Sequence, residues 1–156
     1  MFANRWVEAE QLFKEFKVST FGNKKILEGL ISQVNSTETL KYIDPDNVVI
    51  ENRITSEKTS FPGAWFVSNE RVCVYQPFGT EPYRDDFPVE TLESVSAKGN
   101  GLTAGKVFLA TDSDIITFSV SYKEETYRKI ERVLDDLIQK ALELRQDIEP
   151  VELSIV

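Results

Sequence analysis

A glycine-rich stretch in the second half of the chain has the spacing of a nucleotide-binding turn. Gly99, Gly101 and Ala104 match the G-x-G-x-x-A pattern, and the residues from Gly101 to Lys106 resemble a Walker A loop. The first pattern binds a pyrophosphate only where a strand leads into a helix, and here a strand-like sequence follows. The second is one residue too short between its glycines and has Val107 where Ser or Thr must reach magnesium. We therefore expect a hairpin turn and no cofactor.

Carboxylates occur in three close pairs that resemble metal or catalytic sites. The pairs are Asp44 and Asp46, Asp85 and Asp86, and Asp112 and Asp114. Hard cations take about six to eight oxygen ligands, which an isolated turn does not supply, and Asp is common in turns because it bonds to its own backbone. Glycoside cleavage needs two carboxylates across a cleft, and the sequence places no such pair. We expect no metal site and no paired-carboxylate catalysis.

The chain has no histidine and a single cysteine. Histidine is the usual acid–base residue near neutral pH, so its absence excludes Ser-His-Asp and Cys-His centres and zinc sites built on His. Cys73 lies in the middle of an apolar run and is predicted to be a buried, inert side chain. The sequence therefore predicts a protein that is not an enzyme and has no catalytic residue.

Composition and charge restrict the partners of the chain. Its 156 residues are 41% hydrophobic and 28% charged, as in ordinary globular proteins. The formal net charge is −8, and an acidic body repels nucleic acid phosphates and anionic lipid headgroups. We expect a protein partner or a homo-oligomer, no nucleic acid, and a membrane only as a disfavoured alternative.

The predicted cellular location follows from two kinds of segment that the sequence lacks, a signal peptide and a membrane span. The first residues show no basic stretch followed by an apolar run, so no signal peptide is predicted. No apolar run approaches the ~18 residues of a membrane span. A single cysteine fits a reducing compartment, and the predicted location is the cytoplasm.

The N-terminal part, residues 1–41, is predicted to be a helical segment. Its first helix has an apolar face whose members are spaced 4, 3, 4 and 3 residues apart: Phe2, Trp6, Ala9, Phe13 and Phe16. Gly22 and Asn23 suit a helix end, and a second short helix follows.

From about residue 45 the sequence becomes typical of strands. The predicted strands are 48–55, 64–67, 71–75, 83–88, 92–97, 106–111 and 115–120, with 59–63 as a connection. Short strands with frequent turns and no intervening helices predict an antiparallel barrel or sandwich.

The C-terminal part is predicted to be a long helix followed by a tail. Ser121 and Glu124 fit a capping box, and apolar residues then recur in steps of 3 and 4: Tyr127, Ile130, Leu134, Leu137, Ala141 and Leu144. The predicted helix covers 123–147, about 37 Å, and Pro150 ends the pattern, leaving 148–156 as a tail. A small barrel needs less helix than this. The excess is expected to pack on the N-terminal helices or on another subunit.

The order of elements over residues 48–138 resembles the bacterial PH-like domains of the YokE type. The resemblance lies in these segments: Ser68 to Tyr75, Phe87 to Glu90, Leu92 to Val95, Lys106 to Leu109, and Ile115 to Val120 with the helix that follows. It implies an α+β, mainly β fold, in which a bent antiparallel barrel of about seven strands is capped by the long C-terminal helix. The barrel and helix occupy 42–147, and the N-terminal helices are added to them.

The resemblance also bears on function. Eukaryotic PH domains bind phosphoinositides through basic residues between their first two strands. Here residues 55–63 hold only Lys58, beside Glu57, so that activity is not transferred. Several bacterial PH-like domains resemble assembly or protein-binding modules. This implies a non-catalytic module that binds a protein segment or self-associates through its helices.

Six residues are candidates for the interaction: Trp6, Phe13, Phe16, Leu137, Ala141 and Leu144. The same six could equally form an intramolecular core, and both interpretations stay open. The alternative function is peripheral membrane or lipid binding through the amphipathic N-terminal helix. Glu8, Glu10 and Glu15 share that helix and weaken the alternative, since interfacial helices are usually rich in Lys and Arg.

Overall fold

Two antiparallel sheets with helices at both ends of the chain make up the fold. The computed structural model describes residues 2–18, 20, 22–76, 83–99, 105–120 and 126–155. The helices are α1 (Phe2–Glu15), α2 (Lys24–Ile31) and α3 (Thr126–Ile155). The strands are β1 (Leu40–Asp44), β2 (Asn47–Asn52), β3 (Lys58–Pro62), β4 (Ala64–Ser68), β5 (Arg71–Gln76), β6 (Tyr83–Pro88), β7 (Leu92–Gly99), β8 (Gly105–Thr111) and β9 (Asp114–Val120).

The sheets share two bent strands, and this closes the barrel. One sheet has the order β1-β4-β5-β6, and the other has β3-β2-β9-β8-β7. Pro45 lies where β1 passes into β2, and Gly63 lies where β3 passes into β4, so each pair is one long strand that changes sheet at a bend. Proline lacks the N–H that a ladder needs, which explains the first break. The nine segments thus correspond to seven bent strands, and the predicted fold class is confirmed.

The strand boundaries differ from the prediction at the two bends. β1 begins at Leu40, inside the segment predicted to be helical, and β3 occupies most of the predicted 59–63 connection. The first predicted strand ends at Asn52 instead of residue 55, because the Asn52 side chain accepts bonds from the backbone N–H groups of Ile54 and Thr55, both at 2.9 Å. The bends interrupt the alternation of apolar and polar residues that identifies a long strand in a sequence.

The N-terminal helices cover the outer face of the four-stranded sheet. Leu27 and Leu30 of α2 share a buried cluster with Phe66 and Cys73, and Phe13 of α1 joins the same cluster. Every described residue of β4 is buried, because one face lines the barrel and the other lies beneath the helices. The helical segment is therefore a second layer on the barrel.

Arg71 fastens this layer to the sheet. Its guanidinium donates to both carboxylate oxygens of Glu38, at 3.0 and 2.9 Å, and also to Asp86 at 2.5 Å and the Gln33 carbonyl at 2.6 Å. Burial alone would raise the pKa of Glu38, but hydrogen bonds from Arg71 and Ser68 outweigh it and hold that pKa below its usual value. The linker between α2 and β1 is thus held by a buried ion pair.

The helix α3 packs along β7 and continues beyond the barrel. The hydroxyl of Thr126 donates to the Phe16 carbonyl at 3.0 Å, which joins the start of α3 to the end of α1. The backbone stays helical to Ile155, so the predicted end before Pro150 is wrong. An interior proline costs about 3 kcal/mol, a local effect that does not by itself end a long helix. The predicted capping box at 121–124 lies outside the described residues.

Candidate interaction site

The aromatic residues predicted on α1 pack within the chain. Phe13 and Phe16 are buried, and Trp6 is half-buried against Phe13, edge to face at 6.2 Å. Phe16 meets Tyr42 of the barrel at 4.8 Å in a T-shaped contact. For these three residues, burial within the chain matches the intramolecular alternative that the sequence left open.

The three candidates on α3 divide between core and surface. Leu137 and Ala141 are buried in the barrel core. Leu144, one turn further on, is 66% exposed, and its neighbour Leu142 is 38% exposed. The helix leaves the barrel after Ala141, so Leu144 is the one candidate of the six that the structure presents at the surface.

The four sheet edges differ in how they are protected. The edge strand β1 is contacted by α1. β3 ends at Pro62, and β6 ends at Pro88 after three charged residues. Proline and charge are the usual devices that keep an edge from pairing with another chain. β7 is contacted by α3, contains no proline, is eight residues long, and pairs only with β8 in the described chain.

The strand β7 presents a small, polar outer row beside α3. Ser94, Ser96 and Lys98 are exposed, while Val95 and Ala97 between them are half-buried against the core. This alternation is that of a strand with one face packed and one face free. At Ser94 and Ser96 it gives an added strand a flat surface without bulky side chains.

Tyr127 explains the glycines at the end of β7 and the start of β8. Gly99 and Gly105 are paired across the two strands, and a Cβ atom at either would overlap the Tyr127 ring. The hairpin prediction is confirmed by this pairing, and the G-x-G-x-x-A stretch connects two strands instead of a strand and a helix. Gly99 and Gly105 therefore accommodate the ring of Tyr127 in the first turn of α3.

Two lysines lie directly opposite each other near this end of the edge. Lys98 of β7 is paired with Lys106 of β8, and both side chains are exposed. Neither forms an ion pair with a described residue, whereas Lys58 on β3 is 3.8 Å from Glu51. Like charges directly opposite each other are unfavourable, so an acidic group placed between them would relieve the repulsion.

Several polar groups are enclosed within the fold. Burial raises the pKa of Asp44 to about 8, and Tyr42, which donates to it, also lies inside the barrel. Trp65 is fully buried, and its indole N–H has no hydrogen-bond partner among the described residues. Burial, followed by the charge of Asp86, raises the pKa of Cys73 to about 12, so its thiol stays protonated. Because they are buried, these groups act on the stability of the fold.

The predicted carboxylate pairs are used by the fold. Asp86 pairs with Arg71 and, at 3.1 Å, with Arg84, while Asp85 accepts from Tyr83 at 3.0 Å. Among the described residues, no group of three or more Cys, Asp and Glu side chains is arranged to hold a metal ion. In the same part of the chain, no helix combines the length and the apolar character needed to cross a membrane.

Seven bent antiparallel strands closed by a C-terminal helix define a PH-like domain. No protein-family model and no curated protein matches the chain. Among solved structures it is similar to the Vps36 N-terminal PH domain, with 12% identity and a TM-score of 0.49 over 70% of this chain and 85% of that one.

Two further similar structures are longer proteins. One is PDZ-RhoGEF DH/PH domains in complex with GTP-gamma-S activated RhoA, with 9% identity and a TM-score of 0.45 over 89% of this chain and 40% of that one. The other is the linker-DH/PH region of p115-RhoGEF, with 9% identity and a TM-score of 0.45 over 88% and 42%. The present chain thus spans less than half of either one.

Proposed function

We propose that the chain is a non-catalytic interaction module that binds an extended protein segment along β7, beside α3. The observation that carries the proposal is the long edge strand β7, which lies beside α3 and lacks the proline found in β3 and β6. β7 is long, free of proline and unpaired on one side in the described chain. An edge of this kind binds a peptide by adding a strand, with affinity from the main chain and selectivity from alternate side chains.

The two lysines specify the chemistry of the segment. A strand laid against β7 passes close to Lys98, and Lys106 lies next to Lys98 on the same sheet face. An Asp or Glu on the segment at this level would form a charge-assisted contact with the Lys98 ammonium and so offset the repulsion between Lys98 and Lys106. The small hydroxyl side chains of Ser94 and Ser96 leave room for larger residues on the segment. The proposed ligand is therefore an extended, acidic protein segment.

A phage-displayed library of random peptides, selected on the intact chain, tests the proposal. We expect the selected peptides to combine acidic and β-branched residues. In fluorescence anisotropy they should bind K98E/K106E about tenfold more weakly than the wild type, a loss of about 1.4 kcal/mol. The matched control, K24E/K25E, makes the same change of net charge on the exposed side of α2 and should bind as the wild type does.

Three results would contradict this function. They are selection of neutral peptides, equal binding to both double variants, and failure to select any peptide. Hydrogen exchange on a bound complex gives an independent measurement, since added-strand binding should slow exchange of β7 amides and leave β3 amides unchanged.

The proposal also includes two expectations that come from the resemblance, one on family and one on cellular location. We propose membership of the bacterial YokE-type group and a cytoplasmic location. The burial of Phe13 and Phe16, which α1 would have to insert into a bilayer, weighs against the membrane alternative. Flotation with anionic vesicles at low salt would test that alternative directly.

A further inference from the structure

Three polar side chains lie together inside the barrel. Asp44 of β1 is paired with Trp65 of β4, and paired residues of an antiparallel ladder point to the same face with Cβ atoms about 5 Å apart. Tyr42, two residues before Asp44 on the same strand, faces the same way, and its ring centroid is 5.0 Å from that of Trp65. The register of β1 and β4 thus brings a carboxyl, a phenol and an indole to one place in the core.

The hydrogen bonds of this group are incomplete within the described part of the chain. The Tyr42 hydroxyl donates to one carboxyl oxygen of Asp44. The indole N–H of Trp65 is fully buried, and among the described residues it is the one enclosed side-chain polar atom without a partner. Buried donors nearly always have an acceptor, because a donor removed from water without a replacement costs about 1–3 kcal/mol. The indole N–H therefore calls for a partner from outside the described chain.

The packing of the indole limits where that partner lies. Its ring stacks on Phe118 with centroids 3.9 Å apart, and it also contacts the Tyr42 ring. A close-packed core leaves a ring of this size no room to turn toward another acceptor. Of the buried polar residues that the structure describes, Asp44 is the one paired with Trp65 in the ladder.

We infer that a single buried water molecule accepts the hydrogen bond of the Trp65 N–H and bonds on its other side to the Asp44 carboxyl. Water suits the site because it accepts and donates, and because it joins polar groups that lie too far apart to bond directly. The carboxyl serves in both protonation states, as a donor while it holds its proton and as an acceptor without it. Asp44 keeps 6% of its surface exposed whereas Trp65 keeps none, so the carboxyl marks the solvent side of the site.

Proton NMR with selective excitation of water tests the inference on the full chain. The chain has two tryptophans, and Trp6→Phe leaves Trp65 as the one indole while keeping an aromatic ring against Phe13. We expect a cross-peak between the Trp65 indole proton and water, with opposite signs in the laboratory-frame and rotating-frame Overhauser spectra. Opposite signs mark a long-lived neighbouring water, and equal signs mark chemical exchange. No cross-peak, or one of equal signs, would overturn the inference.

Three further variants in the Trp6→Phe background identify the partner of the water. Asp44→Asn keeps a polar group and should keep the cross-peak, whereas Asp44→Leu, of similar volume, should lose it. Tyr42→Phe removes the hydroxyl of this group, whose exchange with solvent gives an indirect signal, and the cross-peak should persist. Persistence in Asp44→Leu or loss in Tyr42→Phe would overturn the assignment. If Asp44→Leu does not fold, Trp6→Phe and Tyr42→Phe still decide the presence of the water. The site is enclosed in the barrel, so the inference is independent of peptide binding at β7.

Discussion

Tyr42 donates a hydrogen bond to Asp44, two residues further along β1, inside the barrel. Burial raises the pKa of Asp44 to about 8; the bond from Tyr42 acts against this rise and the charge of Asp46 adds to it. Asp44 therefore keeps its proton in the folded chain at pH values where an exposed aspartate has lost it.

This retained proton predicts that the chain becomes less stable as the pH rises from about 4 to about 8. In that interval the folded state binds one more proton at Asp44 than the unfolded state, so the free energy of unfolding falls by up to ~1.4 kcal/mol per pH unit. Above pH 8 the carboxyl is ionised in both states, and the effect levels off. Urea unfolding followed by circular dichroism at several pH values measures it.

Asp44→Asn should remove most of this slope while keeping an acceptor for Tyr42. Asp112→Asn, at an exposed turn, is the matched control and should keep the slope. If the two variants showed the same pH dependence, Asp44 would not be its source.

The contact between Tyr127 and the paired glycines predicts a second effect. Gly105→Ala should destabilise the chain by about 1–3 kcal/mol, because the added methyl overlaps the buried side of the ring. Combining it with Tyr127→Ala should cost less than the sum of the two single changes, since the clash is then absent. Ser94→Ala, exposed on β7, should change stability by less than about 0.5 kcal/mol. Thermal unfolding of the four variants gives the comparison, and strict additivity would contradict the contact.

The ion pair of Arg71 predicts a third effect. Arg71→Ala leaves the Glu38 carboxylate buried without its partner and should destabilise the chain by about 3–5 kcal/mol. Arg84→Ala removes a half-exposed partner of Asp86 and should cost less than about 1 kcal/mol. Denaturant unfolding compares them. Equal costs would mean that Arg71 does not fasten the helical layer.

The reactivity of the Cys73 thiol measures how firmly the N-terminal helices cover the four-stranded sheet. The thiol lies beneath α2 with no exposed surface, and its pKa is raised to about 12, so an aromatic disulfide reagent at pH 8 should not label the native chain. In Arg71→Ala the labelling rate should increase, because α2 separates more often from the sheet. Full labelling in denaturant is the control, and rapid labelling of the native wild type would contradict the packing.

The sequence was most informative where one face of an element repeats at regular steps. The spacing of Phe13 and Phe16 on α1 and of Ile130 and Leu134 on α3 predicted the buried faces correctly. The hairpin after Ser68 was also predictable, and the Ser68 hydroxyl there accepts from the amides of Glu70 and Arg71. In these places the local pattern and the tertiary packing agree.

The proposed site could not be found in this way. Lys98 and Lys106 become neighbours only through the register of β7 and β8, and no local rule fixes that register across a glycine-rich loop. The free edge of β7 depends on which strands pair with which, a property of the whole topology. The exposure of Leu144 depends likewise on where the barrel ends beneath α3.

The junction between α3 and α1 has a consequence for how the β7 edge communicates with the helical layer. The helix that contacts β7 is joined to the end of α1 by the bond from the Thr126 hydroxyl to the Phe16 carbonyl. A segment added beside β7 would therefore lie against a helix whose start is tied to the helical layer. Binding at the edge should then slow hydrogen exchange at the start of α3 as well as in β7.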